Sequence, residues 1–210
     1  MRVVSDIAHR LKHSFNVPGH PDRESAFSLA RFNRLRHGEL IVSPQSPAPE
    51  VHYVESGRIK MVLHGPRGND RVVSILGAGL FAGETHIHMH SRCTAVYALG
   101  MVETYSWDID TATWLVQHNP AFAMHVIASL AFKARLFAAQ IEALSFFSAS
   151  ERVVRTIRNL AEIYGEPTRQ GIKIRLRVTQ EDIGEMANTS RVTVSKVVSG
   201  LRRQGLLITH

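Results

Sequence analysis

The stretch VTQEDIGEMANTSRVTVSKVV, residues 178–198, decides the fold of the last third of the chain. Thr179 and Ser190 are residue types that cap helix N-termini, and the acidic residues that follow Thr179 suit the positive end of a helix dipole. Gly184 permits two helices to cross closely, and Asn188 tolerates the left-handed backbone that a tight turn requires. The stretch therefore predicts two short helices joined by a tight turn, which is a helix-turn-helix.

The second of these helices is predicted from Arg191 to Gln204, with Gly205 ending it. Its inner face is apolar, and its other face presents polar side chains in the half that would enter a major groove. Arg191 suits the O6 and N7 atoms of guanine, Val192 suits a thymine methyl group, and Lys196 suits a base edge or a phosphate. The predicted DNA-contacting residues, including the two caps, are Thr179, Ser190, Arg191, Val192, Thr193, Ser195 and Lys196.

The residues that precede the helix-turn-helix complete a basic C-terminal domain, predicted over 148–210. Ser148 and Glu151 have the spacing of a capping box, which predicts a helix that ends at Gly165 as its C′ glycine. Gly171–Val178 alternates apolar and basic residues, as a half-buried strand does. From residue 150 onward eleven Lys or Arg residues outnumber six Asp or Glu residues, and the whole chain carries a formal charge of +7. A basic domain suits a polyanion such as double-stranded DNA.

A long apolar helix is predicted in the segment 119–147, before the basic domain. Its apolar residues recur at alternating intervals of four and three from Ala123 to Leu144, with no proline or glycine between them. Such a narrow heptad seam is typical of a helix that pairs with a second copy of itself. We therefore predict a homodimer whose interface consists of Ile127, Leu130, Ala134, Phe137, Ile141 and Leu144.

The segment 1–118 is predicted to be a β-rich sensor domain. A short helix is predicted at Val3–Phe15, and from residue 37 onward short apolar runs alternate with turns rich in glycine, which indicates an antiparallel sandwich or barrel. The predicted strands are Glu39–Val42, Val51–Val54, Ile59–Leu63, Arg71–Leu76, Cys93–Leu99 and Met101–Trp107.

Several classes of protein are disfavoured by what the sequence lacks. Cys93 is the only cysteine, so one chain can form neither an internal disulfide nor a four-cysteine iron–sulfur cluster. No apolar run comes near the roughly 18 residues of a membrane span, and the N-terminus does not resemble a signal peptide. We therefore expect a cytoplasmic protein without a membrane partner. No catalytic motif is present, so we expect no enzyme, although a cupin-like metal-binding protein is a distant alternative for the β-rich domain.

The quoted stretch 178–198 resembles the helix-turn-helix of the cyclic-AMP receptor/fumarate-nitrate regulator (CRP/FNR) superfamily, and the likeness extends over most of the chain. The resemblance implies an α+β fold: an N-terminal antiparallel β-roll of the cyclic-nucleotide-binding type, a long dimerisation helix and a C-terminal winged helix-turn-helix. It also implies a transcription regulator that binds a palindromic operator, reads guanine with Arg191 and contacts RNA polymerase. The string Ser190-Arg-Val-Thr-Val194 looks more like that of global nitrogen regulators, which implies GTA-like half-sites. Because the sequence ends where the second strand of the wing would form, we expect the wing to be absent or incomplete.

The resemblance leaves the effector open, and a cyclic nucleotide is one alternative. In the superfamily a Gly-Glu pair and a later Arg-Ser or Arg-Thr pair hold the ribose and the phosphate. The corresponding positions here carry Gly83, Glu84, Arg92, Cys93 and Thr94, and the stretch between the two pairs is shorter than in the family.

Heme is another alternative, on the sequence Thr85-His-Ile-His-Met-His-Ser-Arg-Cys93. This sequence resembles the heme-binding stretch of CooA-type carbon-monoxide sensors, in which Cys-Met-His-Ser supplies the iron ligands. The match implies that His90 is the ferrous ligand and that His88 stands at the position of the cysteine ligand, with His88 or His86 as the second ligand.

A metal ion, or no ligand at all, is the remaining alternative. His86, His88 and His90 alternate, so on a strand they would share one face and suit zinc, copper or nickel, whereas on a helix only His86 and His90 would align.

Overall fold

The N-terminal half of the chain forms a β-roll of two four-stranded antiparallel sheets, as the sequence predicts. The fold is taken from a computed structural model, which describes residues 21–65, 70–87, 94–169, 171–175 and 178–208. One sheet has the strand order β1–β8–β3–β6 and the other has the order β2–β7–β4–β5. The strands are β1 Arg31–Leu35, β2 Leu40–Val42, β3 Glu50–Ser56, β4 Arg58–Leu63, β5 Arg71–Gly77, β6 Phe81–Ala82, β7 Thr94–Ala98 and β8 Val102–Asp108.

Side chains from both sheets meet in one apolar core, because alternate residues of each strand point to the same side. Val54 and Val102 come from the first sheet, and Ile59 and Leu76 come from the second. All four are at most 1% exposed. Their burial is what fixes the strand register, since a shift by one residue would turn the apolar set outward.

Two strands of the roll are missing from the sequence-based prediction. β1 carries mostly polar side chains and, among the described strands, pairs only with β8 at the edge of its sheet, so it lacks the alternating pattern of a half-buried strand. β6 has two residues and is too short to give a pattern. The predicted helix Val3–Phe15 lies outside the described residues.

A second core lies where short helices cover one face of the roll. Helix α1, Pro21–Ser28, places Ala26 in this core, and helix α2, Ile109–His118, adds Leu115. The indole nitrogen of Trp107 donates a hydrogen bond to the carbonyl of Ala26 at 2.9 Å. This bond satisfies the polar atom of a buried ring and joins α1 to strand β8.

Helix α3, Pro120–Phe146, has 27 residues and two different apolar faces. One face packs into the two cores of the roll through Phe122, Val126 and Phe132. The predicted heptad seam is the other face. By length and composition α3 would qualify as a membrane span, contrary to the expectation from the sequence, but it also carries the buried polar side chains of His125 and Lys133. Its apolarity is explained in part by its packing in the roll.

The chain divides into two compact units, residues 1–136 and 137–210. The second unit contains helix α4, Ala149–Tyr164, the strands β9, Gly165–Thr168, and β10, Gly171–Ile174, and the helices α5, Gln180–Met186, and α6, Arg191–Arg203. Ser148 and Glu151 form the predicted capping box at the start of α4. The core of the unit brings α4 and the helix-turn-helix together through Val153, Ala187, Val194 and Val198.

The region around Gly165 differs from its prediction. Gly165 has φ −86° rather than the left-handed backbone of a C′ glycine, and it begins strand β9 directly after α4. A Cβ atom there would lie 2.0 Å from the carbonyl oxygen of Ala161 and 2.3 Å from a methyl group of Ile172. The glycine is therefore required by the close approach of the α4 backbone at Ala161, and of Ile172 in β10. The strand predicted over 171–178 ends at Ile174, and Ile172 is 61% exposed rather than half-buried.

Candidate DNA interface and effector site

The helix-turn-helix has the capping bonds that the sequence predicts. The Thr179 hydroxyl accepts a hydrogen bond from the amide of Asp182 at 3.1 Å, and the amide of Thr179 donates to the Asp182 carboxylate at 2.9 Å. The Ser190 hydroxyl accepts from the amide of Thr193 at 3.2 Å. Both cap hydroxyls thus hold the N-termini of α5 and α6, whatever further contact they make with DNA.

The turn between α5 and α6 depends on two small or permissive residues. A Cβ atom at Gly184 would lie 3.0 Å from the carbonyl oxygen of Thr189, so the crossing leaves little room for a side chain. Asn188 has φ +47°, the left-handed conformation in which asparagine is tolerated. The structure confirms the predicted roles of both residues, and together they fix the angle at which α6 leaves α5.

The predicted DNA-contacting side chains share the outer face of α6. Arg191, Val192 and Lys196 are exposed, with Val192 at 63%, whereas the side chains of Val194 and Val198 point into the core. Thr193 and Ser195 are half-buried. An exposed valine beside an arginine and a lysine, at the start of a helix held by its opposite face, is a surface suited to base edges and phosphates.

Arg152 is a residue of this domain whose role the sequence analysis did not predict. Its guanidinium group donates hydrogen bonds to the carbonyl oxygens of Ala187, Asn188 and Phe147 at 2.8, 2.9 and 2.8 Å. From the sequence alone, Arg152 is one of the eleven Lys and Arg residues that follow residue 150. The sequence feature that could have indicated an internal role for Arg152 is its position next to the buried Val153, on the inner side of an amphipathic helix.

The effector region of the β-roll is built on Gly83 and Glu84. Gly83 has φ +83°, and a Cβ atom there would lie 2.4 Å from the carbonyl oxygen of Glu50, so only glycine fits. Glu84 begins a 3₁₀ helix, Glu84–Ile87, and is 4% exposed. Its Oε1 atom is paired with the ammonium group of Lys133, and its Oε2 atom has no hydrogen-bond partner among the described residues.

Helix α3 holds this region through three polar side chains spaced four residues apart. His125 Nε2 donates to the carbonyl of Gly79 at 2.7 Å, and the hydroxyl of Ser129 accepts from the amide of Phe81 at 3.1 Å. Lys133 Nζ donates to the carbonyl of Phe81 at 2.7 Å as well as to Glu84. The three side chains lie on one face of the helix because residues four apart are neighbours. We call His125, Ser129 and Lys133 the polar ladder; the four-residue spacing is present in the sequence, but it does not predict which backbone groups these side chains contact.

Only one of the three candidate histidines falls within the described residues. His86 is buried in the 3₁₀ helix, because the backbone turns after β6 instead of continuing it, so of the two alternatives that the sequence left open for this histidine the strand does not hold. His88, His90, Arg92 and Cys93 lie outside the described residues, while Thr94 begins β7 and is half-buried. The described residues contain no group of three or more His, Cys, Asp or Glu side chains suited to a metal ion.

His52 is a further buried histidine near His86. Burial, with smaller contributions from the charges of Arg31 and His86, lowers the pKa of His52 from 6.5 to about 4. Its ring is therefore neutral near pH 7, and its 3.5 Å contact with the Glu50 carboxylate is not an ion pair at that pH. Burial also lowers the pKa of His125.

The lowered pKa of His52 predicts that the β-roll loses stability in mild acid. The unfolded chain binds a proton at His52 near pH 6.5 and the folded chain does so only near pH 4, so stability is fully present above 6.5 and falls as the pH drops through this window. The expected loss at pH 4 is about 3 kcal/mol. Urea unfolding between pH 7 and pH 4 measures it, and His52→Gln is expected to flatten the slope. An unchanged slope in this variant would contradict the assignment.

The predicted dimer seam is uncovered in the single chain. Ile127, Phe137, Ile141 and Leu144 are 36–65% exposed, and Leu130 is 40% exposed. Ala134 is exposed as well. Because α3 buries its other apolar face in the roll, the exposed seam is a second apolar surface, which the rest of the described chain leaves uncovered.

Comparisons with known proteins agree with both halves of this architecture. Residues 32–119 match the cyclic nucleotide-binding domain family, and residues 151–210 match the Crp-like helix-turn-helix domain family. The cAMP-activated global transcriptional regulator CRP of Pasteurella multocida is 24% identical over 193 residues, which are 90% of this chain and 91% of that protein.

Solved structures share the fold at similarly low identity. The c-di-GMP responsive global regulator CLP of Xanthomonas campestris superposes with a TM-score of 0.79 at 21% identity, covering 90% of this chain and 94% of that one. A double mutant of CooA from Carboxydothermus hydrogenoformans superposes with a TM-score of 0.77 at 24% identity, covering 94% of this chain and 86% of that one.

The β-roll and the helix-turn-helix thus define a transcription regulator with an effector-binding domain and a DNA-binding domain. The chain belongs to the CRP/FNR family of such regulators.

Proposed function

We propose that the chain is a homodimeric, effector-responsive transcription regulator that reads a palindromic DNA operator with the outer face of α6. The observation that carries this proposal is the exposure of Arg191, Val192 and Lys196 at the start of a helix whose inner face is buried. A helix presented in this way fits the major groove with its N-terminal half against the bases. Two copies would place two such helices about 34 Å apart, one turn of DNA.

Each exposed residue has a chemical role in this proposal. Arg191 donates two hydrogen bonds to a guanine, and Val192 packs on a thymine methyl group, which gives GTA-like half-sites. Lys196 contacts a base edge or a phosphate, and the hydroxyls of Thr193 and Ser195 add hydrogen bonds to DNA. Thr179 and Ser190 lie at the two helix N-termini, where backbone amides favour phosphate oxygens.

Replacement of Arg191 tests the base-reading role. Arg191→Ala is expected to weaken binding to the operator by about 1–3 kcal/mol per half-site and to relax the preference at the guanine it reads. Arg202→Ala is the matched control, since it removes the same charge from the exposed last turn of the same helix. Duplexes selected from a random pool by the unmodified protein provide the operator, and fluorescence anisotropy gives the affinities. An equal loss on selected and scrambled duplexes would show that Arg191 contacts only phosphates.

The exposed seam of α3 supports the proposed homodimer. Its heptad places Ile127 and Ile141 at one core position and Leu130 and Leu144 at the other. β-Branched residues at the first position and leucine at the second favour two parallel strands. A parallel pair related by twofold symmetry presents two identical recognition helices, as a palindrome requires.

For the effector we propose heme, on the strength of the sequence Met89-His90-Ser91 and its likeness to the CooA-type stretch. His90 would be the ferrous ligand, with His88 or His86 as the second. Bound heme would supply an iron that binds carbon monoxide or nitric oxide. The described part of the site supports the proposal only in that His86 is buried beside Glu84 and within the electrostatic reach of His52.

A cyclic nucleotide is the second candidate effector, favoured by the buried Oε2 atom of Glu84. This atom is an acceptor without a hydrogen-bond partner among the described residues, and a ribose hydroxyl is a donor. Gly83, Arg92, Cys93 and Thr94 would form the rest of the pocket. Against it stands the ion pair with Lys133, which already occupies the other carboxylate oxygen.

One spectrum separates the two effectors. If heme binds, the protein expressed with added heme shows a Soret band that shifts with carbon monoxide after reduction, and His90→Ala abolishes the shift. Thr85→Ala is the control, since Thr85 is exposed and lies in the same segment. No Soret band after supplementation would overturn the heme proposal, and titration with cyclic nucleotides by calorimetry would then test the second candidate.

We propose the remaining properties because they are typical of DNA-binding transcription regulators. We expect a cytoplasmic protein that contacts RNA polymerase at its promoters and catalyses no reaction. Effector binding near 86–93 would shift the roll against α3, and the hinge at 145–148 would reorient the recognition helices. Loss of the seam or of Arg191 should abolish regulation without affecting effector binding.

A further inference from the structure

Arg152 donates hydrogen bonds to three backbone carbonyls from two separate segments of the C-terminal unit. Its Nε atom donates to the carbonyl of Ala187 at 2.8 Å, and its Nη2 atom donates to the carbonyl of Asn188 at 2.9 Å. Its Nη1 atom donates to the carbonyl of Phe147 at 2.8 Å. The bonds to Ala187 and Phe147 are partly buried and so partly shielded from competing water, whereas the bond to Asn188 is exposed.

The three carbonyls lie at the ends of structural elements, where they lack partners within a helix. Ala187 is the C-cap of α5, and a positive charge there is favourable to the helix dipole. Asn188 is the left-handed residue of the turn that leads into α6. Phe147 lies between the last residue of α3 and the Ser148 cap of α4, in the segment where we place the hinge.

Phe147 is held a second time through its ring. The guanidinium carbon of Arg155 lies 4.0 Å from the centroid of the Phe147 ring, within the range of a cation–π contact. Arg152 and Arg155 are about one turn apart on α4, so both side chains contact Phe147 from the same face of that helix. The backbone of Phe147 therefore cannot turn freely relative to α4 while these contacts persist.

We propose that Arg152 is a positioning residue for DNA recognition: it fixes the turn of the helix-turn-helix to the hinge residue Phe147, so that the angle of α6 depends on the state of the hinge. The proposal rests on the proposed reading of DNA by α6. Arg152 does not contact DNA in it and acts only through the backbone of Ala187 and Asn188. A change at the hinge that withdraws the Phe147 carbonyl would release one of three bonds and alter the orientation of the guanidinium group at the turn.

Arginine is required because its planar guanidinium group carries donors in a fixed fork. Lysine has a single flexible ammonium group and cannot hold these three carbonyls in the same geometry. The proposal therefore predicts that Arg152→Lys, which keeps the positive charge, still loses much of the affinity for the selected duplex. This variant distinguishes the role of the guanidinium geometry from that of the net charge.

The test compares Arg152→Met and Arg152→Lys with Arg158→Met, which removes a charge from an exposed position of the same helix. Affinities are measured for a duplex selected by the unmodified protein and for a scrambled duplex of equal length. For Arg152→Met we expect a loss of roughly 10- to 100-fold on the selected duplex, the size expected when the contacts to one base pair are misplaced. On the scrambled duplex, Arg152→Met and Arg158→Met should bind with the same affinity. Arg152→Lys should lie between Arg152→Met and the unmodified protein on the selected duplex.

Hydrogen exchange of the free protein gives the second readout. The amides of Asn188 and Thr189 are bonded to carbonyls of α5, so loosening of the turn should speed their exchange in Arg152→Met together with that of Phe147. A parallel loss on both duplexes with a lowered thermal midpoint would show a merely structural role and overturn the proposal. Equal affinities for Arg152→Met and Arg158→Met, or unchanged exchange at the turn, would also overturn it. If the unmodified protein selects no sequence, the proposed function fails instead, and exchange alone then decides whether Arg152 ties the turn to the hinge.

Discussion

Replacing Lys133 with methionine is expected to lower the free energy of unfolding of the β-roll by about 3–5 kcal/mol, because it leaves a buried carboxylate without its cation. The side chains of Lys133 and Glu84 are 6% and 2% exposed, so water can replace the ammonium group only if the roll opens. Methionine matches the length of the lysine stem, which limits any cavity. The expected loss is therefore electrostatic in origin.

Urea unfolding followed by tryptophan fluorescence measures this loss, since Trp107 and Trp114 are the only tryptophans and both lie in the N-terminal unit. Arg135→Met is the matched control, because Arg135 is exposed two residues further along α3. The double replacement Glu84→Gln with Lys133→Met should be more stable than Lys133→Met alone. If Lys133→Met and the control were equally stable, the ion pair would contribute nothing to the roll.

Placing a charge in the seam of α3 is expected to produce a monomer. Ile141→Glu puts two carboxylates into the predicted interface of a dimer, where burial and mutual repulsion oppose association. A monomer can engage only one half-site at a time, so operator affinity should fall by about 10²- to 10⁴-fold. Ile141 is 65% exposed in the single chain, so the change should leave each chain folded.

Sedimentation velocity and operator binding test this expectation together. Ala139→Glu is the control, since it adds the same charge at an exposed position of the same helix outside the heptad seam. If Ile141→Glu remained a dimer, the predicted seam would be wrong. If it became a monomer and kept its affinity, the operator would not be read as a palindrome.

Prediction succeeded where the signal was local. The helix-turn-helix follows from neighbouring residues: Thr179 and Ser190 as caps, Gly184 for the close crossing and Asn188 for a positive φ. Each of these requirements acts within a few residues of its own position, so it is visible in a single sequence. The heptad of α3 was visible for the same reason, since it repeats along one helix, whereas its role as a dimer interface stays a prediction.

Prediction failed where a residue serves a partner distant in sequence. The buried pair of Glu84 and Lys133 joins residues 49 positions apart, and Arg152 reaches carbonyls 35 and 36 positions away. The path of the chain in the folded protein determines which partner such a residue contacts. A sequence therefore does not distinguish a charged residue that is paired inside the protein from one that is exposed to solvent. His86 shows the same limit, because pattern alone left open whether its segment is a strand or a helix.

By itself, the sequence determined the kind of protein: strands, then a long apolar helix, then a helix-turn-helix whose caps, turn and exposed basic residues are written in adjacent positions. Periodicity and capping are short-range properties of the backbone, and a sequence carries them directly. Only the tertiary structure decided three sets of contacts. The polar ladder of α3 forms hydrogen bonds with the effector region, and Glu84 is paired with Lys133 inside the roll. Arg152 connects the turn before the recognition helix to Phe147. These contacts join segments that are far apart in sequence, and burial strengthens those of the polar ladder and of Glu84 because it excludes water that would compete for them.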